Sequence, residues 1–200
     1  MKKLILATSV VALLSACAGG MNSGGMNSGG MSGGMSGSTP SVMVGGAAML
    51  PTRDIIDNAV NSADHTTLVA AVKQAGLVET LKGPGPFTVF APTNAAFNLL
   101  PPATVSTLMA PAGKPMLTKV LTYHVVPGRM DSRALGQAIA AGGGTATLNT
   151  VAGVPLRARM SGANIVLTDV QGNTATVTTA NVYQSNGVIH VVDHVLIPGN

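Results

Sequence analysis

The sequence predicts an α+β fold, and three observations carry that prediction. Segments with helical apolar spacing cluster between residues 52 and 121. Segments rich in Thr and Val, separated by glycine turns, occupy residues 145 to 197. One short β-type run, Phe87-Thr88-Val89-Phe90-Ala91, lies among the helices. Helices first and strands later, with a single early strand, make an α+β domain.

The chain opens with an export signal. Lys2 and Lys3 precede an apolar run from Leu4 to Leu14, which ends in Leu14-Ser15-Ala16-Cys17. That run is too short to span a bilayer and has the small residues of a cleavage site, so residues 1–16 read as a signal peptide. The pattern resembles the bacterial lipoprotein signal, in which Cys17 is acylated and becomes the new N-terminus. A plain secretory signal is the alternative, leaving Cys17 as a free thiol. The lipoprotein reading attaches the chain to the bilayer through Cys17, each buried CH₂ contributing about 0.8 kcal/mol. Ala18, where an Asp would retain the protein at the inner membrane, fits outer-membrane sorting in a cell with two membranes.

Residues 17–46 form a tether. Met-Asn-Ser-Gly-Gly stands at 21–25 and again at 26–30, then shortens to Met-Ser-Gly-Gly at 31–34. Such sequence has too little apolar surface to offset its backbone entropy. As a random coil its roughly 28 residues from Gly19 on would reach about 30 Å. Met21, Met26, Met31 and Met35 also present soft thioethers that suit Cu(I). An expanded repeat would produce the same spacing, so spacer and copper-binding readings both stand.

The folded domain is expected over residues 47–200. Thr52 is an N-cap candidate for a helix carrying Ile55, Ile56, Ala59 and Val60 on one stripe. A second helix fits 67–75, with Leu68, Ala71, Val72 and Ala75 inward and Gly76 as its stop. A short turn of helix fits 77–81. Gly83-Pro84-Gly85-Pro86 breaks the chain before the 87–91 strand. Thr93 or Asn94 then caps a helix with Ala95, Ala96, Phe97 and Leu100. Helices are expected at 103–109 and 116–121, with Tyr123-His124-Val125-Val126 extended. Residues 132–141 read as a helix ended by three glycines. Strands are expected at 145–149, 154–160, 164–169, 174–179 and 188–197.

Composition narrows the function. The formal charge of +4 falls to +2 once Lys2 and Lys3 leave with the signal, and charged residues are only 9%. Basic side chains are scattered, so nucleic acid is not an expected partner. Cys17 is the single cysteine, so the fold stands without a disulfide. Five aromatic side chains (Phe87, Phe90, Phe97, Tyr123 and Tyr183) leave little for a stacking pocket.

Three segments together resemble the fasciclin-like domain family. They are the run 87–97 with Phe87, Phe90, Pro92, Asn94 and Phe97; Tyr123-His124 followed by Val125-Val126-Pro127-Gly128; and 186–193 with Asn186, Gly187, His190 and Asp193. The resemblance covers residues 50–198. It implies a helical set packed on a β-wedge, and a surface-exposed or exported protein of adhesion, without catalysis. Partners of that kind are an envelope or matrix protein or a polysaccharide. Asn94 and Asn181 stand where many members have Asp, so any role needing a carboxylate there is in doubt.

Thr93, Asn94 and Asn98, with Tyr123 and His124, form the expected partner-binding region. His190 and His194, four apart on one expected strand, would share a face about 13 Å apart, too far for one metal. A zinc site of His124, His190 and one other group is geometrically open; the plainer reading makes both core histidines bonded across the sheet. Ser185 lies in a tight turn, not a nucleophile elbow, and Asp131, Asp169 and Asp193 show no pairing suited to acid–base work. No cofactor motif is present, Gly142 to Gly144 lacking the lysine and helix of a phosphate loop. The alternative to a binding module is a structural envelope protein with no specific ligand.

Overall fold

The computed structural model describes residues 41–199. The signal at 1–16, Cys17 and the methionines Met21, Met26, Met31 and Met35 lie outside the described residues.

A hairpin of β1 (Val42–Val44) and β2 (Ala47–Met49) comes first. Its two-residue turn is Gly45-Gly46, both at positive φ (57° and 76°), the geometry that matches strand twist and that glycine alone adopts freely. Val44 and Met49 are buried in the domain core, so the folded unit starts before the boundary expected at 47. The signal was legible: Gly-Gly between apolar residues marks a hairpin, but here it adjoins a glycine-rich tether.

Helices follow: α1 (Ile55–Ala59), α2 (Thr66–Ala75) and α3 (Val78–Lys82). Asp54, not Thr52, caps α1, its carboxylate accepting from Asp57 N at 2.7 Å. Thr52 instead lies in a turn closed by Arg53 N to Leu50 O. Gly76 ends α2 in the left-handed conformation, φ 76°. Strand β3 (Phe87–Pro92) leads into α4 (Asn94–Asn98), α5 (Pro102–Met109) and α6 (Lys114–Tyr123). After β4 (Val125–Pro127), α7 (Ser132–Ala141) precedes β5 (Thr145–Asn149), β6 (Pro155–Ser161), β7 (Asn164–Thr168), β8 (Thr174–Gln184) and β9 (Gly187–Val192).

Seven strands form one sheet in the order β4-β3-β9-β8-β7-β6-β5. All neighbours are antiparallel except β3 and β9, which run parallel from Phe87 opposite Gly187 to Pro92 opposite Val192. Every residue of β9 is buried, as its unbroken apolar run implies for a central strand.

Two core clusters flank the sheet. The first joins the hairpin and the early helices to Val89, Ala91, Ile189 and Val191; the second joins Leu135 and Ile139 of α7 to the inner faces of β5 to β8. Strand β8 serves both, with Val177 in the second cluster and Val182 in the first. Register shifts between these residues, and Asn181 at φ 61°, bend it from one core to the other. The bulge carries β8 five residues beyond the 174–179 expected, because pairing with β9 resumes after it.

Two other boundaries differ from expectation. Tyr123 closes α6 rather than opening a strand, and His124 caps the helix: its N–H donates to Leu121 O and its ring Nδ1 bonds Val120 O at 2.8 Å. Strand β9 stops at Val192, where Asp193 turns back to accept from Thr176 N at 2.7 Å. The same-face spacing expected of His190 and His194 therefore does not arise; His190 is fully buried and His194 exposed.

Candidate functional site

The 87–97 run, the Tyr123-His124 pair and the 186–193 run meet around β3 and β9, and their polar side chains hold elements together. Asn186, in the β8–β9 turn, accepts from Ile55 N at 3.1 Å and donates to Leu81 O at 2.7 Å and Gly83 O at 3.3 Å. One amide thus fixes α1 and the end of α3 to the sheet. Gly187 follows because a Cβ there would strike the Phe87 carbonyl on the parallel neighbour. Phe97 and Pro92 are buried, and Phe87 is half-buried against the first core. Thr88, opposite Val188, donates to Gly128 O and accepts from Met130 N, tying down the loop before α7.

Three histidines are buried, and burial pushes the pKa of each down. His124 falls to about 4. Its Nδ1 donates to Val120 O, and Nε2 accepts from Leu196 N at 3.1 Å. His190 bonds Met130 O through Nε2 at 2.8 Å, receives Asn181 N at Nδ1, and stacks on Phe90 at 5.6 Å between centroids. Both nitrogens of both rings are thus committed to the main chain, which removes the metal-ligand reading of the pair.

His65 differs. Its Nδ1 bonds Ser62 Oγ at 2.9 Å, while Nε2 is buried without a hydrogen-bond partner and borders a cavity of about 40 Å³ shared with Met49, Leu68, Val72 and His124. Burial lowers its pKa; the Ala91 main chain and the Asp64 charge oppose that shift. Ser62 and His65 make a serine–histidine pair at hydrogen-bond distance, but both are sealed in the interior and Gly45 packs directly on Ser62. A nucleophile there reaches no substrate. The pair is local, three residues apart in one turn; what spacing did not announce is its burial beneath the Gly45 turn.

The expected partner-binding region divides into buried and exposed residues. Tyr123 is fully buried, its hydroxyl donating to Pro155 O at 3.1 Å and its pKa pushed up to about 12 by burial. Tyr123 and His124 therefore present no side-chain surface. Thr93 spends its hydroxyl capping α4, accepting from Ala96 N. Asn94 accepts from Thr67 N at 3.0 Å and donates to Ala63 O at 2.8 Å, locking α4 to the start of α2. An Asp at this position would keep the acceptor and lose the donor. Asn98 alone of the five is exposed, beside Leu99 at 62% exposure.

Asn181 and Asp193 are fold-holding too. Asn181 tolerates its positive φ and binds Ser132 through both amide atoms, anchoring α7, whose N-cap is Asp131. Asp193 is partly buried, which opposes ionisation, yet bonds from His194 and Thr176 N hold its carboxyl below the usual range. Among the described residues no helix is long and apolar enough to cross a membrane.

This geometry defines a class: an α+β wedge of helices packed on one mixed sheet, in which the polar side chains of the three signature segments serve architecture. The Fasciclin domain profile matches residues 63–198, and the chain belongs to that family. Protein sll1483 of Synechocystis sp. is 43% identical over 164 residues, covering 82% of this chain and 84% of its own. The immunogenic protein MPB70 of Mycobacterium bovis is 36% identical over 150 residues, covering 70% of this chain and 66% of its own. The cell surface glycolipoprotein MPB83 of the same species is 34% identical over 160 residues, covering 77% and 64%. The FAS1 domain pair of the insect cell adhesion molecule Fasciclin I superposes with a TM-score of 0.65 at 18% identity, covering 74% of this chain and about half (51%) of that one. That likeness is one of fold.

Proposed function

We propose that this protein is a surface- or envelope-anchored binding module that engages an envelope or matrix protein or polysaccharide and performs no catalysis. The observation that carries the reading is the fate of the family-type polar side chains: Thr93, Asn94, Asn186, His124 and His190 are all consumed by backbone bonds. Chemistry is left no accessible nucleophile–base pair among them, since Ser62 and His65 are interior. Membership of a family that includes a cell surface glycolipoprotein and an adhesion molecule supports the same view. Acylation at Cys17 would hold the domain at the bilayer, in the outer membrane of a two-membrane cell, with residues 18–41 as its leash. Asn98 and Leu99, both exposed, mark one contact edge.

The test is binding of the purified full-length protein, in detergent, to host envelope fractions separated into polysaccharide, peptidoglycan and protein. Saturable binding to one fraction is expected. Binding that rises linearly on every fraction would favour a structural envelope protein instead.

A further inference from the structure

The outer face of β5 to β8 carries a pattern that the fold does not use. The inner face packs under α7 through Ala146, Leu148, Leu156 and Ala158. On the outer face Thr145, Thr147, Arg157, Arg159 and Thr174 are exposed, Thr168 and Thr176 are half-buried, and Val166 is buried. The register aligns two rows across four strands. One runs Thr147, Arg157, Thr168, Thr174; the other runs Thr145, Arg159, Val166, Thr176. The first row places Arg157 between Thr147 and Thr168; the second places Arg159 between Thr145 and Val166. The arginines lie two residues apart on one strand, with Cα atoms about 7 Å apart, and each row spans three strand gaps, about 14 Å.

Neither arginine has an internal role. Arg157 and Arg159 are exposed, and the ion pairs among the described residues belong to Lys82 and His194. The chain has seven carboxylates. Asp54 and Asp57 face Lys82, Asp131 caps α7, Asp193 binds His194, and Asp169 is buried in the turn after β7, accepting from Gln171, Asn173 and Ile197 N–H groups. Asp64 and Glu79 sit on the helical half. Around Arg157 and Arg159 the face is thus cationic and hydroxyl-bearing in a protein with few charges, with Val166 in the second row and Asp193 at its Thr176 end.

We infer that this face binds an acidic polysaccharide, its uronic-acid carboxylates seated on Arg157 and Arg159 and its hydroxyls on the flanking threonines. A guanidinium fork matches a carboxylate bidentately. Thr hydroxyls both donate and accept, as sugar hydroxyls do. The face carries no aromatic side chain on which a nucleobase would stack, and no apolar wedge of the kind that inserts into a bilayer. The inference rests on the binding-module reading and gives that module a ligand class and a second contact surface.

The experiment measures retention of full-length protein on immobilised polygalacturonate, with neutral dextran, phosphatidylglycerol-containing vesicles and duplex DNA as comparison arms. Saturable binding to polygalacturonate, weakening with salt, and none to dextran is expected. The double variant R157Q/R159Q should lose about ten-fold or more in affinity. The matched double variant K73Q/R133Q, which removes equal charge elsewhere, should bind as the parent does. T145V/T147V should lose about three-fold with charge unchanged. Thermal unfolding of each variant verifies the fold. Equal losses from both charge-removing variants, unchanged binding in T145V/T147V, or stronger retention on vesicles or DNA would each overturn the inference. So would no binding to polygalacturonate; saturable binding to an envelope fraction in the same preparation would then leave the proposed function standing.

Discussion

In the half built on α1 to α6, side-chain amides reach across the chain: Asn186 to Ile55 and Leu81, Asn58 to Leu50 and Gln184, Asn94 to Thr67 and Ala63. In the half built on β5 to β8, successive antiparallel ladders carry the structure and β5 and β6 alternate, with Ala146, Leu148, Leu156 and Ala158 turned in and Thr145, Thr147, Arg157 and Arg159 turned out. Short helices of five residues cannot stand on their own hydrogen bonds, so they need long-range polar ties. Hairpin strands satisfy their backbone with the neighbour next in sequence, and their outer side chains are released for surface roles. The half that is expensive to hold together keeps its polar groups inside; the half that is self-satisfying exposes them.

That contrast can be broken at graded cost. Leu135→Ala, at the fully buried centre of the second core, should lower stability by about 3 kcal/mol or more, because ladders do not replace lost packing. Asn186→Ala should cost about 2–3 kcal/mol by leaving Ile55 N and the Leu81 carbonyl without their partner, an effect no outer-face residue of β5 to β8 should match. Urea denaturation measures both. Acid should act on the histidine-bearing region around β3 and β9. A histidine whose pKa is 6.5 unfolded and about 4 folded binds its proton only in the unfolded chain between those values, so stability is full above 6.5 and falls as pH drops. At pH 5.5 His124 alone should remove about 1.4 kcal/mol, with His65 and His190 adding in the same direction. In His124→Gln the pH slope of the melting temperature should be shallower by one proton's worth. Thr93→Ala should cost about 1 kcal/mol through the lost cap of α4. Thr147→Ala, on the exposed face, should stay within about 0.5 kcal/mol; a larger loss would mean that the outer face is structural after all.

Much of this was legible in residues. Strand 145–149 and helix 132–141 were expected at their observed bounds, because alternation and the 3.6-residue stripe are complete within each segment. Gly76 stopped α2 as its left-handed φ requires. What misled was chemistry that depends on a distant partner. Tyr123 and His124 have β-type neighbours, yet the imidazole closes α6 and meets Leu196, 72 residues away. Asn181 reads as a strand breaker but is the bulge that lets β8 serve two cores. The Thr93 cap on Ala96 N is local and legible, whereas Asn94 reads as an exposed polar residue because the Thr67 amide and Ala63 carbonyl it satisfies come from elsewhere in the fold.

The sequence by itself determined the fold class, the order of elements, the alternation that gives β5 to β8 an inside and an outside, and the resemblance that the family comparison bears out. Those properties are local: each is written in residue spacing and turn chemistry within a few positions. Only the tertiary structure decided which polar side chains remain at the surface. A hydroxyl, amide or imidazole has the same sequence signature whether it faces solvent or a buried main-chain group. The difference lies in where β3 and β9 pair in parallel and in which loops close over them, contacts between residues about a hundred positions apart.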